Sequence, residues 1–158
     1  MSIESLINAA LETARPLIES RQHKLTLDVP TEPVLLVVDP LRVSQALSNL
    51  LTNAAKYTDP GGSIDVSVRR DAGGLCISVR DTGIGLSSAA IPRVFEMFSQ
   101  MESALERSQG GLGIGLALVR GLIALHGGTV SAHSEGQGKG STFTIRLPAS
   151  TLVSRAAG

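Results

Sequence analysis

The chain has no tryptophan, aromatics make up 3% of its residues, and Cys76 is its only cysteine. A single cysteine excludes an internal disulfide framework and a cysteine-based zinc site. Its place in the run 75–79 predicts a small buried or half-buried side chain in a strand, and so sparse a use of cysteine points to a reducing, cytoplasmic compartment. Few aromatics leave little to stack on bases. A basic surplus is also missing: Lys+Arg and Asp+Glu are both 14 of 158 residues, which argues against nucleic acid or an anionic membrane as the main partner. No apolar run approaches the ~20 residues of a membrane helix, so no direct membrane insertion is expected, although a longer parent protein could be anchored. Neither standard phosphate loop is present. Gly138-Lys139-Gly140-Ser141 has the wrong spacing for a Walker A motif, and no Gly-x-Gly-x-x-Gly opens a βαβ unit.

What the chain does have is a 42% hydrophobic share, 18% charged residues and 17 glycines. This suits one globular domain with its own core. Apolar residues at helical spacing predict a helix over 3–18, kinked or shortened by Pro16. Alternation predicts a strand over 24–29, and a short apolar strand is expected over 34–38. Asp39-Pro40 opens a second helix whose stripe is Val43, Ala46, Leu47, Leu50, Leu51 and Ala54. Ile64, Val66 and Val68, then Leu75, Ile77 and Val79, predict a hairpin around Gly73-Gly74. Residues 86–112 read as a lid. A third helix is expected near 116–125, then strands over 129–134 and 141–147, then a frayed tail or linker over 149–158. Three helices on one face of a mixed sheet of about five or six strands make a two-layer α/β (α+β) sandwich.

Three polar blocks carry the chemistry. In the second helix Asn49, Asn53 and Lys56 fall within about 60° of one another, flanking the apolar stripe. They are either an ordinary polar flank or amide ligands for a hard Mg²⁺ beside a phosphate-binding ammonium. In the 75–81 strand, parity puts Asp81 on the core side with Leu75, Ile77 and Val79. It makes either an Asx-turn on Thr82 or Gly83 N–H or an acceptor for an exocyclic amine. Ser141 has the same parity in its own strand. Gly110–Gly115 opens a helix, where backbone N–H groups can converge on an anion; a bare lid hinge is the structural alternative. Phe95 and Phe98, at i and i+3, read as a clip at the lid base.

In this order, Asn49 to Tyr57, Asp81 to Gly85, Phe95 to Phe98 and Gly111 to Gly115 resemble the N, G1, F and G2 boxes of the histidine kinase catalytic domain. That domain belongs to the GHKL superfamily (HATPase_c) of two-component signal transduction. Gly140-Ser141-Thr142-Phe143 resembles its last conserved element, and the likeness spans about 24–148. It implies a Bergerat fold over 23–148, with 1–22 continuing from a missing dimerisation and phosphoacceptor region. It also implies ATP and Mg²⁺ as cofactors. Asn53, with Asn49 beside it, would hold the metal, and Asn53 and Lys56 would carry catalysis by positioning and charge. Tyr57 would pack near the base. Asp81 would take the adenine amine, with Ser141 helping through water and Thr142 beside it. Gly83, Ile84 and Gly85 would shape the base pocket. Gly111, Leu112, Gly113, Ile114, Gly115 and Leu116 would wrap the triphosphate.

ATP-hydrolysing members of the superfamily, such as the Hsp90, gyrase and MutL types, carry a general-base glutamate where this chain has Asn49. An amide cannot take that proton, so phosphoryl donation is expected in place of efficient hydrolysis. The resemblance implies donation to a histidine on a separate dimerisation domain and, beyond it, a response-regulator receiver domain as partner. His23, His126 and His133 lack the acceptor setting and read as structural or solvent-facing. A stand-alone serine kinase of the anti-sigma type and a non-catalytic ATP-binding module are the alternatives.

Overall fold

The computed structural model describes residues 2–32, 34–89, 91 and 115–153. The first helix, α1 (Ile3–Ser20), begins at Ser2, whose side chain accepts from the Ser5 N–H. It buries Ile3, Leu6, Ile7, Ala10, Leu11, Ala14 and Ile18. Pro16 does not shorten it. Pro16 and Glu12, whose carbonyl loses its i+4 donor, are both exposed, so water can satisfy that carbonyl. Strand β1 (Lys24–Asp28) follows, then α2 (Pro40–Lys56). Asp39 Oδ1 caps α2 by accepting from the Leu41 and Arg42 N–H groups, at 3.1 and 3.2 Å, and Pro40 stands in the first turn, where a missing N–H is harmless. Every residue of the expected α2 stripe is buried.

β2 (Ser63–Asp71) and β3 (Gly74–Asp81) form the hairpin; α3 (Gly115–Ala124), β4 (Thr129–His133) and β5 (Ser141–Pro148) follow. The sheet runs β1-β2-β3-β5-β4. β1 and β2 are parallel and the other three pairs antiparallel, so the sheet is mixed and has five strands. Helices cover one face. Ile64, Val66, Val68, Leu75, Ile77, Val79, Phe143, Ile145 and Leu147 point into a single core with α1, α2 and α3. The other face carries the alternate residues, among them half-buried Cys76, whose sulfur receives a hydrogen bond from the exposed Arg146.

Two expectations need correction. Residues 34–38 form no strand of the sheet. Val34 and Leu36 are buried as alternation requires, but the segment pairs only through isolated bridges, Leu35 with Ser2 and Leu36 with Leu152. Each partner offers one residue before its chain turns away, and Asp39-Pro40 commits the segment to α2. The tail, over its described residues, is not frayed. Ala149–Thr151 is a 3₁₀ turn, Thr151 is buried, and the Val37 N–H donates to the Thr151 carbonyl at 2.7 Å. α3 also begins and ends one residue earlier than expected. Its C-terminal end is tied to α2, because the Asp39 N–H donates to His126 Nε2 at 3.1 Å while His126 Nδ1 faces the Leu122 carbonyl at 2.9 Å.

Candidate functional site

The β3–β5 register sets Asp81 directly opposite Ser141. Asp81 ends β3 and Ser141 opens β5, both on the core side, so the polar pair stands at the mouth of the apolar layer. Asp81 is 5% exposed. Its Oδ1 accepts from the Gly83 N–H at 2.9 Å and the Ser141 N–H at 3.3 Å, and its Oδ2 accepts from the Ser141 hydroxyl at 3.0 Å. The Asx-turn on Gly83 is therefore real, and it orients the carboxylate. Ser141 touches Asp81 directly. Burial raises the Asp81 pKa above the ordinary 3.8, and the three donors pull it back only in part. A buried carboxylate with donors on one side and open lone pairs on the other is suited to accept an N–H from a ligand.

The end of α2 is pinned to this corner. Tyr57 ends the helix as its C-cap, and its carbonyl accepts from the Ile84 N–H at 3.1 Å. That bond brings the α2 block beside the Asp81 block. Asn53 is 8% exposed, while Asn49, Lys56 and Tyr57 are half-buried. The side chains of Asn49, Asn53 and Lys56 have no hydrogen-bond or ion-pair partner among the described residues. An amide on a mostly buried residue, reaching solvent and without a partner among the described residues, suits a ligand that brings its own charge, such as a hydrated divalent cation.

Gly83 and Gly85 are required by geometry. A Cβ on Gly83 would meet the Tyr57 carbonyl and lie 2.9 Å from Asp81 Oδ1. Gly85 has φ +71°, and its Cβ would strike the Gly136 carbonyl. Ile84 is 58% exposed, so it contributes its backbone, which accepts from the Gly138 N–H at 2.7 Å, and its side chain is open to solvent. Leu116 is 1% exposed and belongs to the core.

Thr142 pairs with Arg80 of β3, on the face away from the helices, yet it lines the same cavity of about 290 Å³ at this end of the sheet as Asp81 and Ser141. Gly111, Leu112, Gly113 and Ile114, the lid reading beyond residue 91, and Phe95 and Phe98 lie outside the described residues. Gly115 begins α3.

Three contributors have no local signature in the sequence. Ser134 Oγ donates to the Gly140 carbonyl at 2.6 Å and accepts from the Leu86 N–H at 3.0 Å, clamping the 134–140 loop over the Gly83–Gly85 turn. His23 and Arg21 hold the Thr58 carbonyl, at 2.9 and 3.3 Å. Of the two readings of His23, structural or solvent-facing, the first holds, since it is buried. The lone signal was a histidine at the start of a strand.

Gly140, with φ +72°, carries the junction. Its Cβ would strike the Asp81 carbonyl and lie 3.0 Å from the Asp81 carbonyl carbon, while its N–H donates to the Gly83 carbonyl at 3.1 Å. Gly140→Ala forces left-handed backbone on an L-residue and overpacks the β3–β5 end, together about 2–4 kcal/mol. Thermal unfolding checks this, with an expected loss of about 5–15 °C.

A mixed five-stranded sheet with helices on one face, and a buried carboxylate at the sheet's end beside an amide-bearing helix, defines a nucleotide-binding domain of the Bergerat type. The family described as histidine kinase-, DNA gyrase B-, and HSP90-like ATPase matches residues 38–151. The sensor histidine kinase RcsC of Escherichia coli (strain K12) is 42% identical over 134 residues, covering 84% of this chain and 14% of that protein. The circadian input-output histidine kinase CikA of Synechococcus elongatus is 36% identical over 154 residues, covering 96% of this chain and 20% of that protein. Full-length ShkA, solved in complex with AMPPNP, superimposes with a TM-score of 0.81 at 30% identity, over 99% of this chain and 31% of that one. The chain belongs to the histidine kinase-, DNA gyrase B-, and HSP90-like ATPase family, as an ATP-binding catalytic domain of the sensor histidine kinase kind. It spans only 14% and 20% of the two relatives' lengths.

Proposed function

We propose that this domain binds Mg-ATP and donates the γ-phosphoryl group to a histidine on a separate dimerisation domain, for onward transfer to a receiver domain. The observation that carries this reading is the buried Asp81 carboxylate, oriented by Gly83 and Ser141 and open to an exocyclic amine. The ShkA complex with AMPPNP supports a nucleotide of this kind. Bound at Asn53 with Asn49 beside it, Mg²⁺ would neutralise charge on the phosphates. Lys56 is placed to meet a phosphate oxygen as a point charge. Asn49 stands one turn before Asn53, and its amide cannot deprotonate water, so the incoming group has to bring its own nucleophile. An imidazole nitrogen attacks the γ-phosphorus, the bridging bond to the β-phosphate breaks, and ADP leaves with the electron pair.

The test is to titrate the domain with Mg-ATP, then add labelled ATP and a histidine-bearing dimerisation domain in trans. Saturable binding and a transferred label that is lost in acid and kept in base are expected. An acid-stable label would point to phosphoserine chemistry. Absence of saturable Mg-ATP binding would overturn the proposal. Among the described residues, no helix is long and apolar enough to cross a membrane.

A further inference from the structure

Two buried side-chain atoms lack a hydrogen-bond partner among the described residues, and both lie where the α2 C-terminus meets the strand ends: Thr58 Oγ1 and His23 Nδ1. Thr58 is 1% exposed. Its methyl group lies against Gly62, and its hydroxyl lies 3.0 Å from where a Gly83 Cβ would stand, a point also 2.9 Å from Asp81 Oδ1. The hydroxyl and the carboxylate thus face the same small space without bonding to each other. Thr58 is held there firmly. Its carbonyl accepts from His23 Nε2 and from Arg21, and His23 Nε2 also meets the Asp59 carbonyl at 3.1 Å. A buried hydroxyl in so fixed a position calls for a partner.

Counting hydrogens around the carboxylate identifies what that partner needs. The Gly83 N–H, the Ser141 N–H and the Ser141 hydroxyl are all given to Asp81. The Ile84 N–H goes to the Tyr57 carbonyl and the Gly140 N–H to the Gly83 carbonyl. Thr82, just past β3, is exposed, and its hydroxyl accepts from the Ser63 N–H. Thr58 is the buried donor left over. An adenine edge presents one donor, its exocyclic amine, and one acceptor, its N1. Asp81 answers the first. Nothing committed answers the second.

Resting on the nucleotide reading above, we infer that Thr58 is the specificity-determining positioning residue of the base pocket. Its hydroxyl donates to one buried water, and that water in turn donates to Asp81 and to adenine N1. Three polar partners are enough to hold a buried water. Guanine reverses both edge positions, with an acceptor at O6 and a donor at N1, and so cannot replace adenine on this pair.

The test compares Thr58→Val, which keeps the shape and removes the hydroxyl, with Thr58→Ser, which keeps the hydroxyl, in Mg-ATP and Mg-GTP titrations. Thr58→Val should bind Mg-ATP about tenfold more weakly, the scale of one lost hydrogen bond to a buried water. Its weak GTP binding should not change, so the ATP-to-GTP preference falls by the same factor. Its melting temperature should hold or rise, because a buried unpaired hydroxyl is gone from the free protein. Thr58→Ser should restore ATP affinity to within about twofold of the parent. Equal ATP binding by Thr58→Val and the parent would overturn the inference, as would a loss shared equally by ATP and GTP or a failure of Thr58→Ser to rescue. If the parent itself does not bind Mg-ATP, the nucleotide reading fails first and takes this inference with it.

Discussion

Asp81→Asn should weaken Mg-ATP binding by about 100-fold while leaving the fold standing. A charge-assisted hydrogen bond contributes about 1.5–3 kcal/mol, and an amide NH₂ turned toward the ligand's amine adds a donor–donor mismatch, so the upper end of that range, about 100-fold, is expected. Folding responds differently. Burial raises the Asp81 pKa above its ordinary 3.8, so the folded chain holds this proton more tightly than the unfolded chain does. The stability from that proton is fully present below the ordinary value and is lost as pH rises through the folded pKa. At neutral pH the ionised carboxylate therefore opposes folding, and asparagine relieves that penalty. Thermal melts should show a midpoint within a few degrees of the parent or above it. Isothermal titration should show the affinity loss. The pH dependence offers a second check: parent affinity should fall on acidification earlier than an exposed carboxylate would dictate, and the Asp81→Asn variant should lose that dependence. A variant that melts far below the parent would make Asp81 a structural residue first.

Asn53→Ala should reduce phosphoryl transfer in trans by about 100- to 1000-fold, the effect of removing one group that stabilises charge in the reaction. Asn53 is nine-tenths buried, and its amide is uncommitted among the described residues, so its removal breaks no hydrogen bond among them. The loss should be concentrated in the Mg²⁺-dependent part of binding and in transfer rate. Affinity for ATP measured with chelator should change only a few-fold. Comparing titrations with and without Mg²⁺ checks this, and an equal loss in both would remove Asn53 from the metal role.

Much of the fold was legible because its periodicities are strong. The α2 stripe and the alternating apolar residues of β2, β3 and β5 are all buried, and the apolar residues at helical spacing in α1 are buried apart from half-buried Leu17. Strand parity alone placed Asp81 and Ser141 on the core side, and their direct pairing follows from the register. The 34–38 segment was misread for the same reason the others were read correctly. Its alternation is genuine, but a strand also needs a neighbour of matching length, and that is a property of the fold. The described part of the tail was misread because Thr151 and Leu152 are fixed by partners more than a hundred residues away. Thr142, one step along the strand from Ser141, has the opposite parity and still lines the same cavity as Asp81 and Ser141.

By itself, the sequence determined the classes of residue that meet a nucleotide: two amides and a lysine on one helix edge, a carboxylate at a core mouth, glycines where backbone must turn. It also determined, through Asn49, that no carboxylate stands one turn before Asn53. Only the tertiary structure decided which donors Asp81 uses, that Ser141 reaches it directly, that Ser134 clamps the loop above it, and that Thr58 is left buried and unpartnered beside it. These are contacts between groups 2 to 60 residues apart, mostly side chain to backbone. Such hydrogen bonds depend on distance and direction in space. They leave no period in the chain, so they exist only once the sheet register and the helix ends have brought the groups together.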